Sequence, residues 1–307
     1  MRSTLHRLSL WRTEIVQLLA LLVYVGIVEL IVAVANPHLD GLALGIVSVV
    51  LAIIPAVIWM SVFYAQDRSE PEPRTYVAGV AVLGALLAAA IGYPLLTQLI
   101  QVSSWVGHDT LTEILGAILV IGFTQEFLKY VAVRFSVFYS KEFDQRIDGV
   151  VYGSAAGLGY AAMLNIITVI SSGGVDLGPG VIRIVVTQMV HGALGALIGY
   201  FLGRDKFDPR RVWWMSAGLT LAAVIDGLFF WVSGEISRSA IRVAASSTAG
   251  YNPWPSLVLA VVLAAVLLAG IFYLIRLDVR ADVAATTGAS SLPASPTEPG
   301  TPAPQQA

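Results

Sequence analysis

The sequence predicts an all-α integral membrane protein, a polytopic bundle of about eight transmembrane helices. Of its 307 residues, 57% are hydrophobic and only 12% are charged, and the mean hydropathy is +0.78. Soluble globular proteins carry roughly 25% charged residues, so most of this chain is expected to face lipid or other parts of the protein. The net charge of −2 gives no electrostatic basis for binding nucleic acid, and we expect none.

Eight apolar stretches are long enough to cross a bilayer, which takes about 20 residues each. Charges and turn residues separate them, such as Asn36-Pro37 after the first stretch and Asp208-Pro209 after the sixth. We therefore predict spans at residues 13–35, 42–65, 76–101, 111–137, 148–172, 181–203, 211–233 and 254–277.

The first span is predicted to be an uncleaved anchor. Basic residues precede it and Ala33-Val34-Ala35 resembles a cleavage site, but the apolar core of a signal peptide is usually about 7–15 residues and this stretch is longer. We assign residues 1–280 to one transmembrane domain. Residues 281–307 are rich in Ala, Thr, Ser and Pro and are predicted to form a disordered cytoplasmic tail.

The distribution of Lys and Arg predicts the orientation of the spans. With the N-terminus inside, the inside segments hold 14 of these residues and the outside loops hold 3. The inside residues are Arg2, Arg7, Arg12, Arg68, Arg74, Arg134, Lys141, Arg146, Arg204, Lys206, Arg210, Arg211, Arg276 and Arg280, and the outside ones are Arg183, Arg238 and Arg242. We predict a multi-pass protein of the cell membrane with both termini in the cytoplasm.

The clear cases of ionisable residues within predicted spans, away from the span ends that Asp148 and Glu14 occupy, are Glu29, Glu126, Lys129, His191 and Asp226. Each costs at least about 2.5–3.5 kcal/mol at the bilayer centre, so each needs a physical reason. Glu29 lies near the outer end of its span and is expected to reach the interface. Glu126 and Lys129 are three residues apart on one helix face, which predicts a buried ion pair.

His191 and Asp226 are predicted to lie at similar depth. At 1.5 Å per residue, His191 is about 20 Å from Arg204 and Asp226 is about 22 Å from Arg211. Together with Glu126 these residues could hold a metal such as zinc, or orient a water between a carboxylate and an imidazole. They could also form a structural polar cluster. An ion-transport path is a further alternative, but the two halves of the chain show no internal repeat.

Spans five and six each carry a ridge of small residues at four-residue steps. One ridge ends at Asn165 and contains Gly149, Gly153, Gly157 and Ala161, and the other runs from His191 through Gly195, Gly199 and Gly203. Small residues at this spacing let membrane helices approach closely. We expect tight packing of both spans, through other helices or each other, with the polar ends turned inward.

Five segments resemble, in order, the motifs of the PrsW family of intramembrane proteases, which is distantly related to the Abi and CAAX-processing membrane proteases. They lie between about residues 60 and 232. The segments are Asp67 to Pro73 (DRSEPEP, for the EPEP motif), Gln125 to Lys129 (for EExxK), Asp148 to Ala161 (for DGxxYG…GxGFA), Val190-His191-Gly192, and Asp226 to Phe229 (for HGxxN or HGxxD).

The resemblance implies a peptidase that cleaves within or near the bilayer. Its substrates would be membrane-anchored regulators such as anti-sigma factors, and its mechanism would be of a metallo- or a glutamate type. The implied catalytic residues are Glu126, His191, Lys129 and Asn165. The implied metal ligands are Glu126, His191 and Asp226, with zinc as the candidate ion.

The chain departs from the family pattern at four positions. Gln125 and Leu164 each replace a glutamate, Asp226 replaces a histidine, and Phe230 replaces a polar residue. These substitutions favour one alternative, a catalytically inactive relative that binds membrane helices.

Overall fold

The structure, a computed structural model, describes residues 2–66, 72–104, 109–208, 213–243 and 252–290. All eight predicted spans are confirmed as helices long and apolar enough to cross a membrane, and no strand occurs in these ranges. The helices are α1 (Arg2–Ala35), α2 (Gly41–Gln66), α3 (Arg74–Leu99), α4 (Thr110–Arg134), α5 (Arg146–Ser171), α6 (Leu177–Phe207), α7 (Trp214–Val243) and α8 (Trp254–Ser290).

The chain divides into two units, Met1–Phe272 and Tyr273–Ala307. In the second unit the helical conformation of α8 continues to Ser290, into the first ten residues of the segment 281–307 that was predicted as a tail. Four of the residues in 281–290 are alanine, the strongest helix former, which accounts for the extension. The prediction of a disordered tail otherwise falls on residues 291–307, outside the described ranges.

In the first unit, α6 is the central helix and α5 is its closest neighbour. α6 is buried along almost its whole length and α5 along more than half, whereas the other spans are mostly exposed on the side that would face lipid. The two glycine ridges face each other. A Cβ atom added at Gly149 or Gly153 would overlap the backbone carbonyl of Gly199 or Gly195 respectively, so the predicted close packing is between α5 and α6 themselves.

Two spans depart from regular α-helix. α3 contains wider π-helical turns at Ala88–Gly92 and Leu95–Leu99, on either side of Pro94, and a short 3₁₀ turn follows at Val102–Ser104. α4 contains a π-helical turn at Ala117–Gly122, directly before the segment Phe123–Arg134, which contains Glu126 and Lys129. Such turns rotate the following residues around the helix axis and are frequent at functional sites.

A few polar contacts join α1 to α2 and α1 to α6. Tyr24 of α1 donates to the backbone oxygen of Leu51 in α2 at 3.0 Å. The carboxylate of Glu29 in α1 lies beside Gly178: a Cβ atom added at Gly178 would be 3.0 Å from Oε1 of Glu29. Gly178 is in the first turn of α6, where a negative charge is favoured by the helix dipole. The position of Glu29 is therefore stabilised within the bundle.

The ends of α4, α5 and α6 meet in a charged layer around the loop of residues 135–145. Lys206 donates to the backbone oxygens of Phe138 at 2.7 Å and Phe143 at 2.5 Å. Arg146 pairs with Asp208 at 3.0 Å. This layer is the end of the bundle for which the Lys and Arg counts predict a cytoplasmic location.

Candidate metal centre and active site

Three ionisable side chains from three different helices converge inside the bundle. Glu126 of α4, His191 of α6 and Asp226 of α7 each offer one potential ligand atom, and these atoms all lie within 4.8 Å of one another. The three residues are 0%, 6% and 5% exposed, respectively. The sequence predicts similar depth for His191 and Asp226, and the structure brings both together with Glu126.

Lys129 completes the cluster from the same face of α4 as Glu126. Its Nζ donates to Glu126 Oε1 at 2.5 Å, which is the predicted buried ion pair. The same Nζ lies 2.7 Å from His191 Nδ1. Lys129 is completely buried, so this ammonium is shared between a carboxylate and an imidazole without help from bulk water.

The close approach of α4 to α7 depends on two glycines. A Cβ at Gly122, the last residue of the π turn, would overlap the backbone oxygen of Ala223 in α7. A Cβ at Gly227 would overlap the backbone of Ile118 in α4. Gly227 directly follows Asp226, so the two backbones are near enough for the short Asp226 side chain to reach the Glu126 region.

His191 is positioned by the packing of α6 on both sides. A Cβ at Gly157 of α5 would overlap the backbone oxygen of His191. On another side, Trp59 of α2 is completely buried and its ring lies 3.5 Å from where a Cβ of Gly192 would be. Gly157 thus packs against the backbone of His191, and Trp59 packs against the next residue, Gly192, which restricts this turn of α6.

Two carboxylate oxygens in the cluster have no hydrogen-bond partner among the described residues. They are Glu126 Oε2 and Asp226 Oδ2, both buried. Buried polar atoms without partners are costly and call for an explanation. Two carboxylate oxygens beside an imidazole form a donor set that suits a divalent metal such as zinc, so these residues fit a metal ion.

Asn165 is not brought into this cluster. It is buried, and its Nδ2 donates to the backbone oxygen of Ile184 at 3.1 Å, which ties α5 to α6. Ile184 lies seven residues before His191, about 10 Å along the helix. This contact supports a role in helix packing instead of the direct contact with substrate that the resemblance implied.

The four departures from the family pattern have different environments. Leu164 packs with Tyr160, Leu128 and Ala88 in an apolar cluster. Gln125 is half-buried next to Glu126, and Phe230 is 49% exposed one turn beyond Asp226. The glutamate-to-leucine change is therefore absorbed by apolar packing, and Phe230 lies at the surface of the bundle.

Tyr160 is a neighbour of the site that sequence reasoning missed. Its ring centroid lies 5.6 Å from that of His191 and 5.9 Å from Lys129 Nζ. Its hydroxyl is buried and has no hydrogen-bond partner among the described residues. The hydroxyl lies against Gly92, where an added Cβ atom would overlap it. The signal in the sequence was Tyr160 itself, which stands where the family pattern has phenylalanine, a conservative difference in addition to the four departures given above.

Two of the recognised motifs meet at the end of the bundle that is predicted to be cytoplasmic. The hydroxyl of Tyr152 donates to Glu72 Oε2, which joins the last glutamate of the EPEP segment to α5. Asp148 accepts from the backbone N–H groups of Asp144 and Gln145 and thereby caps α5. Pro73 is the N-cap of α3, and the rest of the motif, residues 67–71, lies outside the described ranges.

Comparison with known proteins gives one consistent result. The sequence model of a family described as "PrsW family intramembrane metalloprotease" matches residues 72–268. Protease PrsW of Bacillus subtilis (strain 168) is 28% identical over 188 residues, 61% of this chain and 82% of that protein. Protease PrsW of Oceanobacillus iheyensis is 31% identical over 176 residues, which are 57% of this chain and 76% of that protein. No solved structure matches the chain.

Proposed function

The chain belongs to the PrsW family of intramembrane metalloproteases and is an intramembrane peptidase, and we propose that Glu126, His191, Lys129 and Asp226 form its active site. The single observation that carries this proposal is the convergence of Glu126, His191 and Asp226 from three helices within 4.8 Å. A purely structural cluster would not need two buried carboxylate oxygens without partners.

The reaction is the hydrolysis of a peptide bond, in which water adds to the carbonyl carbon and the amide nitrogen leaves with a proton. Zinc, held by one atom each of Glu126, His191 and Asp226, would polarise the scissile carbonyl. Oε1 of Glu126 keeps a second lone pair beside its contact with Lys129, and through it Glu126 takes the proton of the attacking water and returns it to the leaving nitrogen. Lys129 holds Oε1 of Glu126 at 2.5 Å and so fixes the orientation of that carboxylate.

The burial of the site favours this chemistry. Glu126 and Lys129 are fully enclosed, and His191 and Asp226 are nearly so. In a site of low dielectric constant, charged groups act more strongly on the developing oxyanion than they would in water. Burial among spanning helices also means that the cleaved bond must enter the bundle, which suits a substrate that is itself anchored in the membrane.

We infer that the substrates are membrane-anchored regulatory proteins such as anti-sigma factors, the class that the family resemblance implies. We also place the protein in the cell membrane with both termini in the cytoplasm. The 14-to-3 asymmetry of Lys and Arg supports this orientation.

The experiment is cleavage of single-span membrane proteins by the purified protein in proteoliposomes. We expect Glu126→Gln and His191→Asn each to lower kcat at least about 100-fold, because each removes a group that contacts the reacting atoms. Glu29→Gln is the matched control, since Glu29 is an intramembrane carboxylate beside Gly178 and is not one of the clustered groups. Cleavage that persists in both site variants would contradict the proposal.

A further inference from the structure

Lys129 occupies a place in the cluster that a metal ion would also need. Its ammonium contacts two of the three candidate ligand residues, Glu126 Oε1 at 2.5 Å and His191 Nδ1 at 2.7 Å. It does so from a fully buried position. The cluster thus contains a positive charge of its own, supplied by the same helix that supplies the carboxylate.

The contact with His191 limits what the imidazole can do. A lysine ammonium has three donors and no acceptor, so Nδ1 of His191 must be the acceptor in this contact. A neutral imidazole has one lone pair on one nitrogen and an N–H on the other. While the contact persists, Nε2 carries the hydrogen, and His191 has no lone pair left for a metal.

We propose that Lys129 is a built-in competitor for the metal position, and that a metal ion binds only when the ammonium withdraws from His191. This inference rests on the proposed function, because it takes Glu126, His191 and Asp226 as the metal ligands. The lysine then regulates occupancy of the site: it neutralises the buried carboxylate in the absence of metal and weakens metal affinity when it is in place.

The ring of Tyr160 lies close to the ammonium. Lys129 Nζ is 5.9 Å from the centroid of that ring while it also contacts Glu126 and His191. A cation within about 6 Å of an aromatic face is attracted by the ring. A shift of the ammonium toward the buried ring of Tyr160 would lengthen its contact with His191 Nδ1 while keeping an attractive partner.

The alternative role for Lys129 is that of an outer group that orients a metal ligand. The two roles predict opposite effects on metal affinity when Lys129 is removed. Loss of an orienting group typically weakens metal affinity by roughly 10–100-fold. Loss of a competitor strengthens it, because both the occupied lone pair and the repelling positive charge are removed.

The test is the zinc dissociation constant of purified protein in lipid nanodiscs, measured by competition with a chromophoric chelator. We expect Lys129→Met to bind zinc at least about ten-fold more tightly than the wild type, since a charge close to the ion is removed. Lys141→Met is the control, because Lys141 is exposed and lies outside the cluster. Equal or weaker binding by Lys129→Met, or no binding by either protein, would overturn the inference.

A second measurement keeps the inference testable if Lys129→Met fails to fold. In wild-type protein labelled with ¹⁵N in lysine and histidine, metal-free His191 should carry its hydrogen on Nε2. Saturating zinc should shift the Lys129 Nζ resonance, while that of Lys141 stays constant; an unshifted Lys129 resonance would refute displacement. Neither readout depends on cleavage, so loss of the proposed peptidase activity and failure of the competition can be told apart.

Discussion

Glu126, Asp226 and Lys129 together bring two carboxylates and one ammonium into a region without bulk water. The single ammonium can neutralise only one of the carboxylates, and a buried charge left without a partner is strongly destabilising. Like charges this close also repel each other. The arrangement therefore favours a second cation or a shared proton, and the two oxygens without partners show where either would bind.

The buried hydroxyl of Tyr160 gives a prediction about stability. It has no partner among the described residues, whereas the hydroxyl of Tyr24 donates to Leu51 at 3.0 Å. A buried donor without a partner costs about 1–3 kcal/mol. We expect Tyr160→Phe to raise the free energy of unfolding by about 1 kcal/mol and the control Tyr24→Phe to lower it by a similar amount.

Thermal or denaturant unfolding in mild detergent measures both tyrosine variants. A loss of stability in Tyr160→Phe would mean that the hydroxyl is bonded, for instance to an enclosed water, and would contradict the interpretation of it as an atom without a partner.

At the level of single residues, the sequence predicts Glu126, His191 and Asp226, which the structure brings together, and Asn165, which lies outside their cluster, but it did not point to Tyr160. Depth follows from the constant rise per residue, so ionisable residues at matching depth could be paired from the sequence. The direction in which a side chain points around the helix axis depends on which faces of neighbouring helices pack together. Asn165 has suitable chemistry, but its amide is engaged by Ile184, and only the packing of α5 on α6 reveals that.

At the level of helices, the π turn at Ala117–Gly122 was not predictable. Its sequence, Ala-Ile-Leu-Val-Ile-Gly, is an ordinary apolar run that regular α-helix would also accommodate. The turn is stabilised by tertiary packing, since Gly122 and Gly227 let the backbones of α4 and α7 touch. The glycine ridges of α5 and α6, in contrast, were evident from spacing alone, because small residues four apart mark a packing face.

The α5–α6 ridge gives a prediction that links packing to the site. A Cβ at Gly153 would overlap the backbone oxygen of Gly195 and lie 2.8 Å from Gly199 Cα, so the helices would have to separate. We expect Gly153→Ala to lower the free energy of unfolding by about 1–3 kcal/mol, as overpacking does. Zinc affinity should fall as well, because His191 lies on the displaced helix.

Gly79→Ala is the matched control for this ridge, since nothing lies within 4 Å of a Cβ at that position in α3. Unfolding and zinc titration of the two variants are compared with the wild type. Equal stability of Gly153→Ala and Gly79→Ala would show that the ridge is looser than the structure indicates.

On the scale of the molecule, the family match begins at Glu72, so the whole candidate site lies in the matched part of the chain and α1 and α2 lie before it. These two helices are still connected to the site. Trp59 of α2 packs beside Gly192, the residue after His191. α2 thus supports α6 at the residue next to His191.

The orientation of the protein in the membrane is the last prediction, and the absence of cysteine from the sequence makes it directly testable. Single cysteines at two exposed loop positions, Lys141→Cys between α4 and α5 and Ser172→Cys between α5 and α6, are labelled with a membrane-impermeant maleimide. Because Lys and Arg concentrate on the cytoplasmic side, residue 172 should react in right-side-out vesicles and residue 141 only in inverted ones. The cysteine-free wild type gives the background. The reverse pattern would invert the assignment of both termini, whereas labelling of both positions from one side would contradict α5 as a spanning helix.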